Sequence, residues 1–295
     1  MTDLLLLVVT GLGLGALYFL AASGLSLIYG LMGVLNFAHG AFMMAGSYAG
    51  WWTMTSLLPS SMAVAARLAV AVAVAIVVGA LVGFLVEVVL IRPLYRHHIQ
   101  QVLVTVGLSL ASVAAAQGIW GADPKPLPKP EWMSQTTELF GARVPNDRFV
   151  FILVAVALFL GLLALLHLTQ LGLVIRAGVE NRTMVEALGI NVRRTFTIVF
   201  SIGGAAAGLA GLLYSQYSGT VSPAQGGSLL IYAFIVVVIG GMGSLPGTAV
   251  AAVAVGLVQQ LANYYAASGV GDLSVVLLLA LVLLLRPSAM KGALA

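Results

Sequence analysis

The ionisable residues of this sequence concentrate in one segment, Leu171–Arg194. The segment holds six of the chain's 22 Asp, Glu, Lys and Arg residues, which are Arg176, Glu180, Arg182, Glu186, Arg193 and Arg194. Two acids lie in its middle, which argues against an anionic lipid surface as its contact. We interpret the segment as a docking element for a soluble protein. The alternative is a solvated connector between two apolar segments.

A short helix is predicted within this docking element. Gly178 and Gly189 bracket the segment Val179–Leu188, and Gly189 suits a left-handed helix cap. A helical projection places four apolar residues on one face, namely Ala177, Met184, Ala187 and Leu188. The pattern predicts an amphipathic helix that ends at Gly189.

Residues that could carry out catalysis are missing from the rest of the sequence. The chain has no cysteine, and it contains no phosphate-binding loop, no metal-ligand cluster and no nucleophile–base pair. We therefore predict a chain that is not an enzyme and that holds no cofactor and no metal. Glu87 is the only carboxylate expected at membrane depth, and we interpret it as a structural partner of Arg92. Ion-coupled carriers use embedded polar groups, so if this protein pumps a solute, the energy must come from another subunit through a cytoplasmic contact.

The elements that position these residues are predicted to be membrane-spanning helices. The sequence is 61% hydrophobic and 7% charged, whereas soluble domains carry about 25% charged residues. Apolar runs long enough to cross a bilayer recur over the whole length. The prediction is an all-α, polytopic transmembrane protein with a single domain, residues 1–295, and about 8–9 membrane segments, some of them interrupted or re-entrant. The nine predicted segments are Leu4–Tyr29, Ala41–Leu58, Met62–Ile91, Gln101–Trp120, Phe149–His167, Thr195–Tyr217, Leu229–Ile239, Thr248–Ala267 and Leu273–Leu285.

The orientation is predicted from Lys and Arg in the short loops. The basic loop Arg92–Gln100 is placed inside, so Leu171–Arg194 and the C-terminus are also cytoplasmic. The N-terminus and the proline-rich segment Gly121–Arg148 are then outside. The net charge of +4 suits basic cytoplasmic loops and does not argue for nucleic acid as a partner.

Two segments place helix breakers near membrane depth, one in each half of the chain. They are Asn36–Gly40 (NFAHG) and Gly240–Gly247 (GGMGSLPG). Non-helical backbone at that depth must be buried in protein or line a watery cavity, and paired interruptions of this kind indicate a substrate path. The alternative is a tight turn in each place. The two halves show no convincing sequence repeat.

Three separated motifs resemble the permeases of branched-chain amino-acid ABC transporters. They are GLGLGALYFLAASGLSLIYGLMGVLNFAHGAFMMAGSY at Gly11–Tyr48, RAGVENRTMVEALGI at Arg176–Ile190, and GGMGSLPGTAVAA at Gly240–Ala252, with the ending LLLRPSAMKG also similar. The resemblance implies an ATP-driven importer in the plasma membrane of a bacterium or archaeon. Its implied partners are a second, paralogous permease, two ATPase subunits and an extracytoplasmic binding protein.

The resemblance also implies roles for individual residues. The path is carried onto Asn36, Phe37, His39 and Gly40, with Gly240 and Gly241 from the second interruption, and with Thr105, Gly107 and Tyr214 from their places on spans. The contact with the ATPase is assigned to Arg176, Ala177, Glu180, Asn181, Met184, Glu186, Ala187, Leu188 and Gly189. Branched-chain or related amino acids are the expected substrates, and urea or short amides are the alternative. A stand-alone carrier and a structural or signalling subunit are the other classes considered.

Overall fold

The structure is a computed structural model that describes residues 2–33, 35–95, 97–180, 184–185, 189, 191–267 and 269–285, without the side chains of residues 178–180. Within these ranges it confirms an all-α polytopic membrane protein. Six of the described helices are long and apolar enough to cross a membrane, which are Thr2–Met32, Val64–Leu94, His98–Trp120, Asn146–Leu168, Val192–Ser218 and Leu245–Tyr265.

The helices are numbered in chain order. They are α1 (Thr2–Met32), α2 (His39–Trp52), α3 (Val64–Val86), α4 (His98–Trp120), α5 (Glu131–Ser134), α6 (Asn146–Leu168), α7 (Gln170–Glu180), α8 (Val192–Ser218), α9 (Gln225–Gly240), α10 (Leu245–Tyr265) and α11 (Val270–Leu285). Wider helical turns continue α2 over Thr53–Leu57 and α3 over Glu87–Ile91, and a tight turn follows at Arg92–Leu94. The strands are β1 (Lys125–Pro126), β2 (Thr136–Leu139), β3 (Ala142–Pro145) and β4 (Thr220–Val221).

Two long helices, α1 and α8, form the centre of the bundle. Most of their residues are buried, and their backbones touch where Gly24 faces Gly203. A Cβ atom at Gly24 would overlap the carbonyl oxygen of Gly203. Small residues at such crossings let membrane helices approach closely, because packing and not a hydrophobic force holds helices together in lipid.

The packing around these two helices is repeated. Helix α8 contacts α1, α2 and α3, while α1 contacts α8, α9 and α10. Helices α2 and α9 begin beside each other, and Gly40 and Gly226 are each the nearest neighbour of the other. The groups α1–α3 and α8–α10 are thus packed in a corresponding way, although their sequences show no convincing repeat. A repeat of this kind depends on small residues at crossings, which leave little trace in the sequence.

The bundle has two distinct ends. We call the end that holds Met32, Arg92, α7 and the start of α8 the charged end. There the turn between α9 and α10 packs on α1, with Gly243 beside Gly30. The opposite end, called the proline end, carries residues 121–145, which fold onto the bundle. Strand β1 pairs with β4, β2 pairs with β3, and Trp51 Nε1 donates to the Pro126 carbonyl at 3.2 Å.

The outer helices expose apolar side chains. Leu110 on α4 and Leu153 on α6 are 68% and 70% exposed, as expected for side chains that meet lipid. An apolar groove of about 620 Å³ separates α4 from α2 and α3. Helix α9 has 16 residues, which at about 1.5 Å per residue is shorter than a full span. The predicted segment Leu229–Ile239 is therefore a short helix that begins inside the bundle.

Candidate translocation path and coupling surface

The non-helical stretch between α1 and α2 lies at membrane depth. His39 Nε2 is 3.0 Å from the carbonyl oxygen of Ala21, which precedes Met32, the last residue of α1, by 11 residues. The 31 residues of α1 extend about 46 Å, and the apolar core of a bilayer is about 30 Å thick. Wherever that core is placed along α1, Ala21 lies within it. The chain therefore turns back into the membrane after Met32, and α2 begins there.

Two buried side chains in this stretch keep polar atoms without a partner. Asn36 is 3% exposed, and its Oδ1 accepts from the Ala38 amide at 3.1 Å, while its Nδ2 has no partner. His39 is not exposed at all. Because a carbonyl can only accept, His39 donates from Nε2 to Ala21, and its Nδ1 presents an unpartnered lone pair. Buried polar groups nearly always have a hydrogen-bond partner. The unpartnered atoms of Asn36 and His39 are therefore unusual and mark these two side chains as candidates for binding a ligand.

The N-terminal ends of two helices meet at the same place. Gly40 is the second residue of α2 and Gly226 the second of α9, and a Cβ at Gly40 would lie 2.8 Å from the Gly226 carbonyl oxygen. Helix N-termini carry partial positive charge and favour anions. Short helices whose N-termini point at a site inside the membrane are a recurring arrangement for binding anionic substrate groups.

The other predicted path residues do not join this group. Thr105 is buried on α4 and donates to the Val102 carbonyl at 2.9 Å, and Gly107 on the same helix has no atom near its Cβ direction. Gly240 ends α9, and Gly241 follows it in a tight turn with φ +88°. That turn lies at the charged end of the bundle. The segment Gly240–Gly247 therefore has the form of a tight turn between α9 and α10, which was the alternative to an interrupted span. Phe37 is partly exposed beside Asn36.

Tyr214 lies in a separate cluster of tyrosines. Its ring centroid is 5.9 Å from that of Tyr217, and it lies near Asp272. Tyr18 stacks on Tyr232 with ring centroids 4.8 Å apart. This cluster belongs to the region between α1, α8, α9 and α11.

Asp272 is a functional candidate that the sequence reasoning missed. Its Oδ1 accepts hydrogen bonds from Tyr232 at 2.8 Å and from Gln259 at 2.7 Å, and Tyr18 donates to Gln259 at 2.5 Å. Tyr18 lies in the middle of α1, so Asp272 is a second carboxylate, besides Glu87, that we expect at membrane depth. The predicted span began at Leu273 and left Asp272 outside it. Gln259, a polar residue within an apolar run, was the available signal.

Glu87 and Arg92 form the predicted pair and have two further partners. Arg92 Nη2 is 3.2 Å from Glu87 Oε2, Thr197 donates to the same oxygen at 2.7 Å, and Tyr95 donates to Oε1. Glu87 is completely buried. Burial, together with the hydrogen bond to Glu87, raises the pKa of Tyr95. The network joins the end of α3 to the start of α8 at the charged end.

The docking element is partly described. Helix α7 runs through Gly178, so the predicted boundary at Gly178 is wrong, while the left-handed conformation of Gly189 is confirmed by its φ of +80°. Met184 is 62% exposed and Val185 is buried. Arg176 is exposed with its Nη1 3.1 Å from His167 Nδ1, and Ala177 is half-buried. Asn181, Glu186, Ala187 and Leu188 lie outside the described residues, as does the side chain of Glu180.

No group of three His, Cys, Asp or Glu side chains that could hold a metal occurs in the part of the chain that the structure describes.

The fold defines a helical, multi-pass membrane protein. Its particular family follows from comparison with known proteins: residues 7–285 match the family described as branched-chain amino acid transport system / permease component. The chain belongs to this family.

Curated relatives align over most of its length. The high-affinity branched-chain amino acid transport system permease protein LivH of Escherichia coli is 31% identical over 96% of this chain and 93% of its own. BraD of Pseudomonas aeruginosa, with the same description, is 29% identical over 96% and 94%. The LivM permease of E. coli is 27% identical over 89% of this chain and 66% of its own. No solved structure matches significantly.

Proposed function

We propose that the chain is one of two permease subunits of an ATP-driven importer for branched-chain or related amino acids. The substrate is delivered by an extracytoplasmic binding protein, and separate ATPase subunits supply the energy. The observation that carries this proposal is the family match over residues 7–285. The similarity to LivM, a permease from the same organism as one LivH relative, supports a paralogous permease as the second subunit.

The path is proposed to run beside Asn36, His39 and Gly40. Three observations support it: non-helical backbone at membrane depth, two buried polar atoms without partners, and the N-termini of α2 and α9. The amide Nδ2 of Asn36 and the helix N-termini suit the carboxylate of an amino acid. An apolar side chain would contact the neighbouring aromatic residue Phe37, which is partly exposed.

The ATPase is proposed to dock on the charged end, at the loop that contains Met184 and Gly189. An exposed methionine in this loop, Met184, suits contact with an apolar groove of the partner. The charged end would then be cytoplasmic and the proline end, together with the N-terminus, outside the cell. The Arg residues of the charged end support this orientation.

Reconstitution tests the proposed class. The complex of this chain, its paralogous permease, two ATPases and the binding protein is expected to accumulate labelled leucine in proteoliposomes only with ATP. Excess isoleucine or valine should compete, whereas urea or acetamide should not. Uptake by this chain alone without ATP would refute the importer and favour a stand-alone carrier. Competition by urea alone would retain the importer and change its substrate.

Copurification tests the docking loop. Glu186→Lys and Gly189→Pro are expected to remove most of the bound ATPase, because the first reverses a charge in the loop and the second is incompatible with a positive φ. Glu131→Lys makes the same charge reversal on α5, at the proline end, and should leave ATPase binding unchanged. Equal ATPase recovery from all three variants contradicts the assigned surface.

A further inference from the structure

A polar cluster joins four helices away from the NFAHG segment. Tyr18 of α1 donates to Gln259 of α10, and Gln259 and Tyr232 of α9 both donate to Oδ1 of Asp272 on α11. The Tyr18 and Tyr232 rings stack with an interplanar angle of 15°. The cluster therefore fixes both the position of the carboxylate and the aromatic surface beside it.

The cluster lies at membrane depth. Tyr18 is 16 residues from the first residue of α1 and 14 from its last, which is about 24 Å and about 21 Å along the helix. An apolar core of about 30 Å placed anywhere along α1 contains Tyr18. Helix α10 ends only a few residues beyond Gln259, and α11 begins soon after. The first turn of α11, with Asp272, therefore lies near the level of Gln259 and Tyr18.

The Asp272 carboxylate is held on one side and open on the other. Among the described residues, no donor bonds to Oδ2, and no Lys, Arg or His forms an ion pair with Asp272. The residue is exposed on this chain. An ionisable group at this depth is costly in lipid and almost always faces protein or a water-filled cavity. The face that carries Asp272 must therefore border an aqueous space or a cationic partner.

We propose that Asp272, positioned by Tyr232 and Gln259, is a second subsite of the translocation path, separate from the NFAHG segment, and that it receives the ammonium group of the transported amino acid before or after the substrate contacts Asn36. The inference rests on the proposed function and adds to it a residue that recognises one end of the substrate. The open Oδ2 supplies the counter-charge. The partly exposed rings of Tyr214 and Tyr232 supply apolar contact for the substrate.

Tyr214 strengthens this assignment. It lies near both Tyr18 and Asp272, and it is only half-buried. Tyr18, Tyr214 and Tyr232 thus lie close to a single carboxylate, while the ring of Tyr217 faces the Arg148 guanidinium, 4.3 Å from its centroid. A site of this kind distinguishes an amino acid from urea, which has no cationic group.

Cysteine labelling tests whether the site is open to water. The chain has no native cysteine, so Val276→Cys, one helical turn from Asp272 on the same face, introduces a single thiol. Val276 and its neighbour Leu277 are 52% and 58% exposed, but they point about 100° apart around the helix. In the assembled complex, a cationic methanethiosulfonate reagent should modify Val276→Cys at least tenfold faster than Leu277→Cys. Equal rates would overturn the proposal.

Ligand protection of Val276→Cys tests which end of the substrate is recognised. Leucine and isopentylamine, which carry the ammonium group, should slow the labelling at least threefold. The carboxylate analogue 4-methylpentanoate should not slow it. In the Val276→Cys background, Asp272→Asn should abolish the protection and Asp272→Glu should retain it. Protection by the carboxylate analogue, or protection that survives Asp272→Asn, would overturn the assignment.

Uptake separates this inference from the proposed function. Asp272→Asn should lower leucine uptake at least tenfold while the subunits still copurify and binding protein still stimulates ATP hydrolysis. Asp123→Asn, the same change on the proline-rich segment, should be neutral. Loss of the second permease from Asp272→Asn would instead identify an intersubunit ion pair and overturn the proposal. If the wild-type complex fails to transport leucine, the proposed function itself fails.

Discussion

Removing Arg92 should destabilise the protein more than neutralising its partner Glu87. Glu87 is completely buried, and Arg92 is the only charged group bonded to it among the residues that the structure describes. Arg92→Met leaves the carboxylate with two neutral donors, Tyr95 and Thr197. Breaking a buried ion pair in this way costs about 3–5 kcal/mol. The Arg92 side chain is 37% exposed, so water reduces the effect, and we expect about 2–3 kcal/mol.

Glu87→Gln is expected to cost less, about 1–2 kcal/mol. It leaves no buried charge, its amide oxygen still accepts from a hydroxyl, and Arg92 can turn toward water. The double variant Glu87→Gln with Arg92→Met should therefore be about as stable as Glu87→Gln alone. The difference gives an interaction energy of about 2 kcal/mol in a double-mutant cycle.

Thermal unfolding of the detergent-solubilised protein, followed by size-exclusion chromatography, measures these differences. Each kcal/mol corresponds to about 2–4 °C in Tm, so Arg92→Met should fall about 4–12 °C below the wild type. Arg143 is an exposed basic residue on β3. Arg143→Met is therefore the control and should shift Tm by less than about 2 °C. The reasoning is refuted if Arg92→Met matches the control or if the double variant is the least stable.

The remaining predictions concern backbone contacts and the path. Gly208→Ala should lower the free energy of unfolding by about 1–3 kcal/mol, because the new Cβ would overlap the Ala75 carbonyl oxygen. Gly107 lies in open space, so Gly107→Ala should be neutral or stabilise the protein by up to about 1 kcal/mol. Equal Tm values for the two variants would contradict the observed packing at Gly208. His39→Ala and Asn36→Ala should each reduce leucine uptake at least fivefold while the complex still copurifies, and normal uptake in both would return NFAHG to a structural role. Gly189→Ala should lower ATPase stimulation only about twofold, because an alanine in the left-handed conformation costs roughly 1 kcal/mol. If Gly189→Ala has as large an effect as Gly189→Pro, backbone conformation does not explain the role of Gly189.

The membrane-spanning architecture could be predicted because it depends on local composition. Each long span is a run of about 20 apolar residues, and the glycine pairs within these runs lie at helix crossings. The left-handed Gly189 was also a local property, since few other residues adopt a positive φ. Gly178 was misread for a related reason: a glycine inside a helix looks the same in sequence as one at its end.

The polar sites depend on contacts between distant segments and could not be predicted in the same way. Asp272 meets Tyr232 across 40 residues, and His39 meets Ala21 across 18. An aspartate at the start of an apolar run is ordinarily a surface residue. The carboxylate of Asp272 reaches the level of Tyr18 because α10 ends soon after Gln259 and because α9 places Tyr232 next to it.

The glycine contacts of the central helices limit how this protein can change shape. At Gly24 and Gly203, and again at Gly79 and Gly204, backbone touches backbone with no side chain between. Shear motion slides packed helices past one another, and the direct approach of two backbones at these points resists such sliding. Helices α1, α2, α3 and α8 should therefore move as one rigid body. Hinge or shear motion is left to weaker seams, above all the apolar groove along α4, where lipid could fill the space that opens and closes.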